Sequence, residues 1–156
     1  SGAGDTNYFL PVAFLAGNFA ADGHALKALP ETVPPGTLWT HGLANFSGTV
    51  SYETEVEVPA HAGDVRLRVD TGGFYTAVEL GGRVLGERAW APFEWTVPPG
   101  AKGKKATLKI TTWTSVAPLF GDWKNPAGAW NKKFWVPPPK HHSEVGLLAP
   151  PAWLLF

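Results

Sequence analysis

Trp39, Trp90, Trp123, Trp130 and Trp135 fall in stretches without a regular apolar period, and planar polar side chains stand close to them in sequence. His41 and Asn45 follow Trp39, Arg88 precedes Trp90, and Asp122, Asn125 and Asn131 are interspersed among the later three. Aromatic faces beside Asn, Asp, His and Arg are what sugar recognition needs. An indole stacks on the apolar C–H patch of a pyranose, while planar side chains exchange directional hydrogen bonds with its hydroxyls. The candidate ligand-binding residues are therefore Trp39, His41, Asn45, Arg88, Trp90, Asp122, Trp123, Asn125 and Trp130. The competing reading is packing. A long connecting segment needs a core of its own, and burying one aromatic is worth about 2–3 kcal/mol, so on that reading most of these tryptophans pack and about two are left for a ligand.

Catalytic chemistry has less support. A glycosidase needs two carboxyl groups about 5–10 Å apart across a cleft. Asp70, Asp122, Glu144 and Glu87 lie in or near connecting segments, yet no spacing marks two of them as a pair, and Glu53, Glu55 and Glu57 read as a solvated face. Ser115 and Ser143 share a long segment with His141 and His142, but no nucleophile-elbow sequence surrounds either serine. Adjacent histidines seldom direct both rings at one ion, so His141–His142 reads as structural. Cysteine is absent, which removes thiolate nucleophiles, Cys-ligated zinc and disulfides. The chain is thus read as non-catalytic with no cofactor. A structural calcium held by loop carbonyls with Asp70 or Asp122 would leave no sequence trace and stays open.

The elements that must position these side chains are strands. Thr49–Val58 alternates with period two, with Val50, Tyr52, Thr54, Val56 and Val58 on one face and Ser51, Glu53, Glu55 and Glu57 on the other. Val65, Leu67 and Val69 alternate with Arg66 and Arg68, and the acidic face beside the basic one predicts a cross-strand pairing of these two neighbours. Phe74, Thr76, Val78 and Leu80 then share a face, and Gly81–Gly82 is a two-residue hairpin signal leading into 83–87. Phe93, Trp95 and Val97 point inward, as do Leu108 and Ile110 in 106–114, which places Trp113 outward with Lys109, either exposed or covered by the 115–145 segment. Residues 8–19 read as a strand pair or bent strand, and 146–156 as a Pro-interrupted final strand containing a core Trp153. The best helical candidate, 23–30, amounts to two turns at most before Pro30. Short strands with 18 Gly and 15 Pro between and around them predict an all-β antiparallel sandwich, one domain over 1–156.

Charge and hydropathy narrow the partners. Thirteen basic and 13 acidic side chains leave a formal net charge of zero, so no basic stripe is available for nucleic acid. The apolar runs 8–16 and 145–156 are too short or too Pro-broken to span a bilayer. The first residues, SGAGDTN, carry no Met, which fits a processed or excised fragment of a larger protein.

Strand direction sorts the loops. Antiparallel strands bring the segment before 49, the 71–73 turn, the 88–91 loop and the 115–145 segment to one end, which collects every candidate ligand residue. The opposite end receives 59–64, 81–82 and 98–105, with His61 its one candidate functional side chain.

The segment 74–113 resembles the jelly-roll sugar-binding domain of family 2 glycoside hydrolases and the wider galactose-binding-domain-like sandwiches. The matching features are Ala77, Val78, Leu80, Gly81 and Gly82, then Gly86, then the Pro92–Phe93 strand opening. Upstream, Trp39, Gly42, Ser47, Gly48 and Tyr52 are similar to the start of accessory domains in large bacterial glycosidases, and 146–156 resembles their closing strand with Ala149 in place of Gly. Gly81 stands where the family's hairpin has Asn. The resemblance spans roughly 37–156. It implies a non-catalytic module that binds carbohydrate, positions substrate or packs on an adjacent catalytic domain, in a secreted or periplasmic bacterial enzyme. No catalytic residue carries over, because the family's acid and nucleophile lie in a barrel that this chain does not contain.

Overall fold

Alternating apolar residues bounded by Gly and Pro become strands, and the register of those strands decides which faces meet. The computed structural model describes residues 17–22, 25–43, 46–114 and 144–156. Strands β1 (Phe19–Asp22) and β2 (Ala25–Ala28) pair as a two-stranded sheet, and β3 (Gly36–Thr37) leads into a 3-10 helix over Leu38–His41. Next come β4 (Thr49–Glu57), β5 (Val65–Arg68), β6 (Tyr75–Leu80), β7 (Arg83–Arg88), β8 (Glu94–Thr96) and β9 (Lys105–Trp113). The chain closes with β10 (Gly146–Leu147), paired to β3, and β11 (Ala152–Leu155).

Two antiparallel sheets carry the architecture, one ordered β4-β9-β6-β7 and the other β11-β5-β8. Val65, Leu67, Val69 and Val97 from the smaller sheet side meet Val78, Leu80, Leu108 and Ile110 from the larger one in a single buried cluster. The antiparallel β-sandwich read from the sequence is therefore the observed fold.

Among the described residues Trp95 is the largest fully buried side chain, and its indole N–H donates to the Gly86 carbonyl at 2.9 Å. A buried indole N–H without an acceptor costs about 1–3 kcal/mol, so this bond fixes how β8 faces β7. Gly86 reaches the position through a β-bulge: Val78 opposes Gly86 and Glu79 opposes Val84, which leaves Leu85 as the extra residue. At φ +133°, position 86 is open only to glycine without strain.

Four sequence expectations are corrected here. The acidic face of β4 does not pair with Arg66 and Arg68. Glu53 and Glu57 oppose Lys109 and Lys105 on β9, while Arg68 opposes Glu94 on β8 and bridges it at 2.8 Å. Charge complementarity named the right kinds of partner, but chain order does not set strand order, and β4 and β5 lie in different sheets. Residues 25–28 form a strand rather than helix, because antiparallel pairing with β1 satisfies the backbone that an isolated two-turn helix could not stabilise. The final stretch is two strands in two sheets, split at Pro150–Pro151. Thr54 is also exposed, and Val50, Tyr52 and Val56 are half-buried, because β4 is a sheet edge that the smaller sheet covers incompletely. Of the segment 8–19, residues 8–16 lie outside the described residues.

The bulge gives a direct test of the inter-sheet seam. Gly86→Ala is expected to lower unfolding free energy by about 1–3 kcal/mol. Val84→Ala, at a site 60% exposed on the same strand, should stay within about 0.5 kcal/mol, both read from urea denaturation.

Candidate functional site

Thr49 of β4, Trp113 of β9 and Tyr75 of β6 share one register row, and Arg88 at the end of β7 opposes Thr76. These strand ends form one end of the larger sheet. They carry the segment before 49, the 71–73 turn and the 88–91 loop, as strand direction required.

This end has a small core of its own. Leu38, Leu43, Val145 and Ala20 are buried there, with Val33, Phe46, Val50 and Phe74 packed on them. The Leu38 N–H bonds the Val145 carbonyl at 2.8 Å, and Gly42 ends the 3-10 helix in the left-handed region at φ 78°. With Leu38 taken inward, Trp39 is left 44% exposed. The tight turn at 70–73 is held by Asp70, whose carboxylate accepts the Gly72 N–H at 3.1 Å. Behind it the buried Thr71 and Thr76 hydroxyls meet at 2.6 Å, and Thr76 donates to the Phe74 carbonyl at 2.8 Å. Side-chain hydroxyls thereby fix the start of β6 and the direction of Tyr75.

The candidates from the sequence separate into three groups. Trp39 and Trp90 are solvent-exposed, Trp90 to 76% in the link between β7 and β8. Arg88 lies over the Trp95 ring at 5.8 Å from its centroid and donates to the Glu87 carbonyl at 3.0 Å, so it caps the core indole as well as facing solvent. His41 is half-buried, and its Nε2 lacks a hydrogen-bond partner. Asn45, Asp122, Trp123, Asn125 and Trp130 lie outside the described residues, as do Asn131, Trp135, His141 and His142. At the opposite end, His61 Nε2 sits 3.0 Å from the Phe156 carbonyl and acts as a clasp. Among the described residues no three His, Cys, Asp or Glu side chains converge as metal ligands.

Two features were not singled out from the sequence. The first is Tyr75, which joins the outward Trp113 in an aromatic pair on the outer face of the larger sheet. Tyr75 and Trp113 meet edge to face at 5.1 Å, each 38% exposed, and the Tyr75 hydroxyl donates to the Glu87 carboxylate. The signal was present, since inward Phe74 and Thr76 place Tyr75 outward. The second is a cleft of about 730 Å³ beside the β4 edge, walled by Leu29, Val33, Val50, Tyr52 and Pro150–Pro151. Burial there raises the Tyr52 phenol above its ordinary value, with the Leu147 backbone acting in the opposite direction. The hydroxyl itself has no partner in hydrogen-bond geometry. A cleft built from residues far apart in sequence leaves no local pattern to read.

No family model matches this chain, and no curated protein matches it. Solved structures do. A rhamnosidase from Novosphingobium sp. PP1Y aligns over 90% of this chain and 14% of its own, at 22% identity and a TM-score of 0.54. A β-glucuronidase from Bifidobacterium dentium, complexed with coumarin-3-O-glucuronide, aligns over 76% of this chain and 24% of its own, at 24% identity and a TM-score of 0.50. The chain thus spans a quarter or less of either enzyme's length. At these identities the likeness establishes the fold: this sandwich is the fold of one part of larger glycoside hydrolases, as the sequence resemblance implied.

The tyrosines yield a pH prediction. Hydrogen bonding to Glu87, followed by lesser burial and charge effects, raises the Tyr75 phenol above its ordinary value, and burial does so for Tyr52. The folded state therefore holds both protons more tightly than the unfolded chain, which releases them near about pH 10. Stability from these groups is complete below that value and falls as pH rises through the folded-state values. Ultraviolet titration of Glu87→Gln should show one of the three phenols moving down and the raised Tyr52 value unchanged.

Proposed function

We propose that this chain is a non-catalytic, carbohydrate-binding accessory module of a glycoside hydrolase. The observation that carries the reading is the exposure of Trp90 and Trp39 at one end of the sandwich, where the local core is already supplied by Leu38, Leu43, Val145 and Phe46. An exposed indole face stacks on the apolar face of a pyranose. Arg88, exposed at the end of β7 beside the Trp90 link, supplies donors for hydroxyls, whereas the His41 Nε2 is buried; Asn45, Asp122, Trp123, Asn125 and Trp130 remain sequence candidates for the same binding. The fold supports the context, since comparable sandwiches form one part of a rhamnosidase and of a β-glucuronidase. The parent enzyme would be secreted or periplasmic. No helix among the described residues is long and apolar enough to cross a membrane.

A second reading has its own observation. The cleft beside β4 is lined mainly by apolar side chains and opens along a sheet edge, which favours an interface module packed on a neighbouring catalytic domain. The two readings part in a simple titration.

Calorimetry of the isolated chain against plant and host glycans, with and without calcium, should give saturable heat with at least one glycan. Trp90→Ala and Trp39→Ala should each weaken that binding about two- to tenfold. The thermal midpoint of Trp90→Ala should stay at the parent value, because that side chain is 76% exposed. A flat response to every glycan would leave the interface reading.

A further inference from the structure

We infer that the outward face of the larger sheet is a second saccharide platform, separate from the loops, that takes uncharged sugars. The inference rests on the glycan-binding reading above and assigns it a surface that reading does not use.

The register builds this face row by row. Trp113 and Tyr75 stand side by side on β9 and β6. In the next outward row Ser51, Thr111, Ala77 and Glu87 lie abreast on β4, β9, β6 and β7. Ala77 is the smallest side chain of that row, so the face drops to a floor between Thr111 and Glu87, bordered on one side by the aromatic pair and the Tyr75–Glu87 hydrogen bond. From β9 to β7 the floor spans two strand spacings, roughly 10 Å. A sugar ring seated on it would have an aromatic wall, as stacking requires.

The polar groups bordering the floor are hydroxyls and carboxylates. The Ser51 and Thr111 hydroxyls pair at 3.0 Å, and Glu87 is aligned by the Tyr75 hydroxyl. Hydroxyls and carboxylates accept hydrogen bonds from sugar hydroxyls, and a carboxylate does so strongly. Glu53 and Glu79 flank Lys109 in the following row, so carboxylates outnumber cations on this part of the face. A uronate brought here would meet like charge, whereas a neutral sugar would donate to every carboxylate it reaches. Charge complementarity therefore selects neutral glycans.

The test is calorimetric titration of the full chain with cello-, manno-, galacto- and xylo-oligosaccharides, and with oligogalacturonate of matching length. Trp113→Ala removes the stacking wall, and Ala77→Gln fills the floor while leaving both aromatics in place. Circular dichroism melts check that each variant folds, and Ala77→Gln carries the test if Trp113→Ala does not. At least a tenfold loss of affinity for a neutral oligosaccharide in the folded variants, with oligogalacturonate binding tenfold or more weakly to the parent, is expected. Parent-like affinity in both folded variants would overturn the platform and leave the loop reading standing. Equal affinity for oligogalacturonate would overturn the selection for neutral sugars. No binding of any saccharide by the parent chain would overturn the platform together with the glycan-binding reading.

Discussion

The bond from the Trp95 indole to the Gly86 carbonyl joins the two sheets at the point where the chain crosses between them. Trp95 belongs to β8 of the smaller sheet and Gly86 to β7 at the edge of the larger one. An indole buried at 0% exposure must place both its ring and its N–H, and the bulge at Leu85 with glycine after it makes that placement available. The consequence reaches the surface. Once the indole is seated, Arg88 lies over its ring and the chain leaves β7 toward Trp90, which is turned to solvent. An inter-sheet constraint thereby sets the geometry of an exposed loop.

Closure on that side contrasts with the other. There β4 is an edge strand whose inward residues are half-buried, and a cleft runs beside it between the 29–35 segment and the two prolines before β11. The end above is packed independently, by the cluster around Leu38 and Val145. The domain therefore has one firm seam, one open flank and one end with surplus aromatic surface. At Trp90, 76% exposed, aromatic area faces solvent with little return from packing.

Much of this was legible in the residues. Period-two alternation identified β4, β5, β6 and β9 and the inward side of each, since the pleat ties sequence parity to face. Gly81–Gly82 marked the β6–β7 turn, where both residues adopt positive φ. Strand pairing was not legible in the same way. The glutamates of β4 and the arginines of β5 looked complementary, yet each found its opposite charge on a strand distant in sequence, because sheet order follows the sandwich and not the chain. Local patterns also misread 25–28, where a two-turn helix had no packing to support it and a hairpin partner did. For the site, Trp39 and Trp90 were found by type and by loop position. Tyr75 sits inside a strand whose parity turns it outward, and its partner Trp113 lies on a strand distant in sequence, so the pair has no local signature.

The central claim is that this sandwich keeps a rigid tryptophan core and offers its exposed aromatics to sugar. Indole N–H resonances in heteronuclear spectra, followed while a binding oligosaccharide is added, test it most directly. The account expects the Trp95 indole signal, fixed by Gly86, to hold its position while one or more exposed indoles shift to saturation. Exposed indoles that stay unmoved at saturating sugar, or a Trp95 signal that moves with them, would contradict it.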